Sequence, residues 1–196
     1  QIKIGATGKA EYAQAMGRIS GAQIKATGCN MAFAPVVDIT YNWECEETLL
    51  RSYGNDPKMV ADMGKAFMDG LHETAGVFCC AKHFPGPGDT SVDSHKGLPV
   101  VAHDRARLDS VELAPFRRMI AADVDMVMMG HLSVPALDAS GVPSSISKPI
   151  YDLLRNELGF KGVMVTDGLM MRGLLDMFDG DDVAASVAAY EAGADM

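Results

Sequence analysis

No apolar run in this chain approaches the roughly 20 residues that cross a bilayer. The opening QIKIGATGKAEYAQ also lacks the basic-then-apolar order of a secretion signal, so no membrane-spanning segment is expected. Basic residues are few: 17 Lys and Arg stand against 26 Asp and Glu, for a formal net charge of −9. Binding a phosphate backbone takes clustered cations, which excludes nucleic acid as an expected partner. Cysteine is sparse, and Cys29, Cys45, Cys79 and Cys80 show no paired zinc spacing. They read as buried free thiols, which leans toward a reducing, cytoplasmic compartment, with a secreted bacterial form as the alternative. There is no H-E-x-x-H and no G-x-x-x-x-G-K, and Gly86 and Gly88 supply only a fragment of a phosphate loop. His72, His83, His95, Asp89 and Asp93 could ligate a metal but lack tight ligand spacing. No metal and no cofactor are expected.

What the chain does have is apolar content, at 48%, distributed in an alternating rhythm. Residues 9–27 carry Tyr12, Met16 and Ile19 at helical spacing and stop at Gly28. NMAFAPVVDI (30–39) follows as a buried strand. Asp56-Pro57 is an N-cap with proline in the first turn of a helix whose apolar face is Met59, Val60, Met63, Phe67 and Leu71. GVFCCAKHF (76–84) shows no alternation, as expected of a strand buried on both faces. The unit then repeats: a helix at 109–122 and a strand at 125–131, then a helix capped by Ser147 and a strand at 162–168. A last helix at 181–192 leads into AGADM, the start of a further strand.

Such alternation predicts a parallel α/β fold. A doubly wound sheet and a (β/α)8 barrel both satisfy it, but each strand here ends in a residue capable of chemistry: Asp38, Lys82-His83, His131 and Asp167. Catalytic groups on several successive strand ends favour the TIM-type barrel. A complete barrel takes about 250 residues, so 1–196 is expected to be a single fragment of about five βα units with terminal strands missing. Its unclosed sheet edges would favour oligomers.

The stretch KHFPGPGDTSVDSH (82–95) concentrates the chemistry. A lysine at the end of a buried strand is costly without an anionic or hydroxyl-rich partner. Asp93 and His95, one residue apart, can form a carboxylate–imidazole contact suited to general acid/base work. The Pro-Gly-Pro-Gly turn is expected to act as a flexible hinge for that dyad. Asp167, at the end of VMVT, is either the N-cap of a following helix or, on a shared rim with the dyad, a nucleophile.

KHFPGPGDTSVDSH resembles the K-H-F-P-G-H-G-D-T-x-x-D-S-H motif of the β-N-acetylhexosaminidases of glycoside hydrolase family 3. FAPVVDI (33–39), LRSYGNDP (50–57), SKPIYDLLRNELGFKGVMVTDGLMM (147–171) and the closing AGADM are similar to the same family. The resemblance implies a retaining glycosidase acting on a small carbohydrate, with Asp167 as nucleophile, His95 as acid/base and Asp93 as its orienting partner. It further implies that Lys82, His83 and Arg51 hold the sugar, with Asp38 facing the same pocket. His131 lies on the rim without an assigned role. Two departures stand out: Pro87 replaces the family's His between the loop glycines, and the family's upstream D-Q-E-G-G segment is absent. The alternatives are a phosphorylase using the same site and a non-catalytic sugar-binding fragment.

Overall fold

The computed structural model describes residues 1–42, 44–45 and 48–196. Four parallel strands lie in sequence order: β1 (Met31–Ala32), β2 (Phe78–Phe84), β3 (Met126–Met129) and β4 (Val163–Thr166). Beyond β4, the amides of Asp195 and Met196 donate to Met164 O, and Thr166 N–H donates to Met196 O at 3.0 Å. The AGADM segment therefore begins a fifth position beside β4. The sheet is open, a section of (β/α) barrel-type architecture rather than a closed barrel.

Its two faces divide as the pleat requires. Cys79, Ala81, Val127, Met129 and Met164 join the core beneath the helices, whereas Cys80, Met126, Met128 and Val165 form a second cluster on the opposite face with Met31. Lys82 and Asp167 follow Cys80 and Val165 by two residues. Period-two alternation therefore carries both onto the second, concave face.

Helix α1 (Ala10–Ala26) packs along α2 (Pro57–His72). Asp56 caps α2 by accepting from Met59 N at 2.6 Å, and Val60, Met63, Phe67, Met68 and Leu71 are buried. On α1, however, the buried residues are Ala13, Gly17 and Gly21, while Tyr12 and Ile19 are exposed. The expected face is corrected by the closeness of the helices. A Cβ on Gly17 would sit 2.0 Å from Phe67 O, and one on Gly70 would sit 1.9 Å from Gln14 O. Only the stripe of small residues can enter that contact, so the large side chains turn outward.

Four further expectations are corrected. The strand at 30–39 is regular only at Met31–Ala32, because Pro35 has no N–H to give; pairing with β2 continues through Ala34 O, Pro35 O and Val37 N. The helix at 109–122 is two pieces, α3 (Arg105–Ser110) and α4 (Ala114–Ile120). Asp104 starts the first by accepting from Arg107 N, and Pro115 prevents the two from running together. Cys29 is exposed beyond the end of α1, unlike the buried Cys45, Cys79 and Cys80. The helix after Ser147 keeps its cap but changes from α5 (Lys148–Asp152) to a π-turn at Leu153–Glu157. The last helix, α6 (Asp182–Ala192), ends at Gly193.

Candidate active site

The C-terminal ends of β2 and β4 and the chain after β1 converge on Asp38, Lys82, His83 and Asp167. Asp38 grips His83 twice: Oδ1 accepts from the His83 amide at 2.8 Å and Oδ2 pairs with Nδ1 at 2.8 Å. The side chains of His83 and Asp38 are 2% and 0% exposed. Arg51 Nη2 lies 3.2 Å from His83 Nε2. Guanidinium can only donate, so Nε2 accepts and the ring proton sits on Nδ1, facing Asp38. A relay from Arg51 through His83 to Asp38 is thereby fixed in one tautomer.

Asp167 stands at the other side of this relay. Its amide donates to Met129 O, its Oδ1 accepts from Gly168 N at 2.8 Å, and its Oδ2 lies 3.8 Å from His83 Nε2. That last distance exceeds a hydrogen bond. No helix starts at Gly168; the next begins only at Arg172. Asp167 is therefore not a helix N-cap. Lys82 shares this neighbourhood: burial and then the Arg51 charge push its ammonium below the ordinary lysine value, against the pull of Asp167, Cys80 and Asp38.

The acid/base candidates lie on the loop after β2. His95 Nδ1 is 2.8 Å from Asp93 Oδ1, and the His95 amide donates to the same oxygen at 2.9 Å. Burial raises the Asp93 carboxyl, but the backbone and ring hydrogen bonds from His95 outweigh it and hold it below the ordinary aspartate value. The imidazole is 60% exposed, with Nε2 as the ring nitrogen not committed to Asp93.

The expected hinge is corrected. Pro85, Gly86, Pro87 and Gly88 are all buried. A Cβ on Gly88 would meet Ile39 O at 2.0 Å, and Thr90 returns both its amide and its hydroxyl to Pro87 O. This turn is a packed root, and the exposed part of the loop begins at Ser91. A half-buried network missed by sequence reasoning braces the root. His103 Nε2 contacts Asp89 Oδ2 at 2.6 Å, and Arg107 donates to Glu112 at 3.1 Å while stacking 4.8 Å over the Tyr41 ring. Burial pushes the Glu112 carboxyl up despite the opposing Arg107 charge. Single His, Arg and Glu residues spread over 103–112 carry no motif that would have revealed it.

His131 joins neither the relay nor the dyad. Nε2–H donates to Gly168 O at 2.9 Å and Nδ1 contacts Ser145 Oγ at 2.7 Å, which fixes the backbone just after Asp167. The residues weighed as metal ligands form separate pairs: His72 with Asp125, His83 with Asp38, His95 with Asp93, and Asp89 with His103.

A section of (β/α) barrel thus carries a carboxylate, an Arg–His–Asp relay and, on the loop after β2, a His–Asp dyad at the C-terminal rim, where the barrel class of protein places its ligand-facing groups. The chain belongs to the glycosyl hydrolase family 3 N-terminal domain family, whose model matches residues 1–196. It is 40% identical over 197 residues to beta-hexosaminidase A of Pseudoalteromonas piscicida, covering 94% of this chain and 32% of that protein. The fold matches the glycoside hydrolase family 3 beta-N-acetylglucosaminidase from Paenibacillus sp. str. FPU-7 with a TM-score of 0.95 and 43% identity, over 100% of this chain and 37% of that one. The beta-glucoside phosphorylase BglX, solved bound to 2FGlc, gives a TM-score of 0.94 at 27% identity over 100% of this chain and 36% of the other. The chain thus spans about a third of the length of each of these three proteins.

Proposed function

We propose that this chain carries the catalytic groups of a retaining β-N-acetylhexosaminidase, which removes terminal β-linked N-acetylhexosamine from cell-wall muropeptides or chitin-type oligosaccharides. The Asp93–His95 contact at 2.8 Å carries the reading. It commits Nδ1 to the carboxylate and leaves Nε2 as the proton-transfer atom, on a loop rooted beside the strand end that holds Lys82 and His83.

In the first step, Asp167 Oδ2 attacks the anomeric carbon as the glycosidic bond breaks, and His95 Nε2–H gives its proton to the departing oxygen. In the second, neutral His95 takes a proton from water, whose oxygen attacks the same carbon and releases Asp167. Retaining enzymes ordinarily use two carboxylates. Imidazole can replace the acid because as a class it titrates near neutrality and serves both steps; Asp93 stabilises its charged form in between. Lys82 and Arg51 supply hydrogen-bond donors for sugar hydroxyls, and the fixed His83 ring holds Arg51 at the pocket. Asp38 acts through His83.

A second reading has a specific support. The acid/base carries no negative charge, and a structural relative is named a beta-glucoside phosphorylase. Phosphate could then replace water in the second step and release a sugar 1-phosphate. Proton NMR of the first product formed from an aryl β-N-acetylglucosaminide, with and without phosphate, separates the readings. Hydrolysis with retention gives the β-anomer first under both conditions, and an α-anomer first would overturn the mechanism. A β-sugar 1-phosphate in the phosphate arm would select the phosphorylase.

A further inference from the structure

The geometry points to Gly173 as a positioning residue: its bare backbone seats the acid/base loop on the segment that follows Asp167, so the proton donor and the nucleophile share one scaffold. This rests on the roles proposed for His95 and Asp167.

The loop touches that segment through its middle. Gly173 N–H donates to Ser94 O at 2.9 Å, and Ser94 stands between the two members of the dyad. As a first-turn amide of the short helix Arg172–Leu175, this donor has no partner within its own helix. The Ser94 carbonyl satisfies it. Ser94 is 3% exposed, a buried tooth flanked by the exposed His95 and Lys96.

Space at this contact is as specific as the hydrogen bond. A Cβ on Gly173 would lie 2.9 Å from both Ser94 O and Gly97 O, and 3.4 Å from His131 Cβ. Two of the three obstacles are loop backbone, which cannot swing aside as a side chain can. Gly173 has no positive φ, so a methyl group there strains nothing locally, and its cost falls on the loop. The other wall is His131, which holds Gly168 O at 2.9 Å, one residue from Asp167. Loop and seat thus meet directly, and His131 links them to the backbone that follows Asp167. Chemical motifs could not reveal it; the sequence offers only an isolated glycine in the run LMMRGLLD.

Gly173→Ala in the full chain tests the idea with aryl glycosides of graded leaving-group pKa, read as kcat/KM, which reports the first step. Misplacing the proton donor should lower kcat/KM by about 10- to 100-fold for the poorest leaving group, and by less than about twofold for a dinitrophenyl leaving group that departs without help. A loss equal across the series, or no loss, would overturn the proposal. Hydrogen exchange on the unsubstituted chain gives a second measurement if the variant does not fold. The Gly173 amide should open together with those of Lys96 and Gly97, which bond to Asp93 O within the loop. Loop amides exchanging freely while Gly173 stays protected would also overturn it. Failure of the unsubstituted chain to cleave any glycoside would instead count against the proposed function, since exchange coupling does not depend on turnover.

Discussion

Asp38→Ala removes both acceptors from His83 and leaves everything else about the ring in place. The side chains of Asp38 and His83 are 0% and 2% exposed, so water cannot take over the lost bonds. The His83 amide and Nδ1–H, each 2.8 Å from an Asp38 oxygen, would both be orphaned. Each orphaned buried donor costs about 1–3 kcal/mol, and breaking a buried pair by deleting one partner costs about 3–5 kcal/mol. The ring cannot escape by changing tautomer, because a proton on Nε2 would face the Arg51 donor 3.2 Å away. The expected loss is therefore about 3–5 kcal/mol, or a Tm lower by about 6–20 °C for a domain of this size. Asp38→Asn, which keeps one acceptor, should lose about half as much. Urea unfolding followed by circular dichroism measures the loss, and a double-mutant cycle with His83→Phe should give a coupling of about 1–3 kcal/mol. A variant within about 0.5 kcal/mol of the parent, or a cycle that closes to zero, would refute the relay.

Replacing His95 by Ala should cut kcat/KM for poor leaving groups by about 100- to 10,000-fold and spare those that leave unaided; a uniform loss across the series contradicts the acid role. Burial and Arg51 hold the Lys82 ammonium below its ordinary value, so its charge is lost at a lower pH than that of a free lysine. An NMR titration of 13C-labelled lysine side chains should accordingly show one lysine titrating below the ordinary lysine range, and Lys82→Arg, which does not titrate there, should remove that signal; a spectrum with every lysine in the ordinary range would refute it. Of the four thiols, exposed Cys29 alone should react with a disulfide reagent in the native state. Cys45, Cys79 and Cys80 are buried, with the Cys80 thiol pushed up to about 12 chiefly by burial, and should react only on unfolding.

The order of elements was legible because its signals are local. Asp56 and Ser147 accept from Met59 N and Ile150 N, as the cap-then-proline pattern predicts, and the non-alternating run FCCAKHF is a central strand. The Asp93–His95 dyad was legible for the same reason, since one intervening residue suffices to bring the two side chains together. What sequence could not supply depends on distant chain. The face of α1 is decided by how closely α2 approaches, which period 3.6 alone does not encode. The Pro-Gly-Pro-Gly turn looks pliant until Ile39, Thr90 and Glu112 are seen to pack around it. The Arg51–His83–Asp38 relay joins residues 32 and 45 positions apart, and no spacing rule reaches that far.

The central claim is that Asp167 becomes covalently bonded to the sugar. Incubation with a 2-deoxy-2-fluoro glycoside bearing a dinitrophenyl leaving group slows release of the intermediate and allows it to be mapped by peptide mass spectrometry. The account predicts one added fluoroglycosyl unit on the peptide spanning VMVTDGLMM, at Asp167. A label on Asp93, Asp38 or any other carboxylate, or an enzyme that turns over without ever acquiring the label, would contradict it.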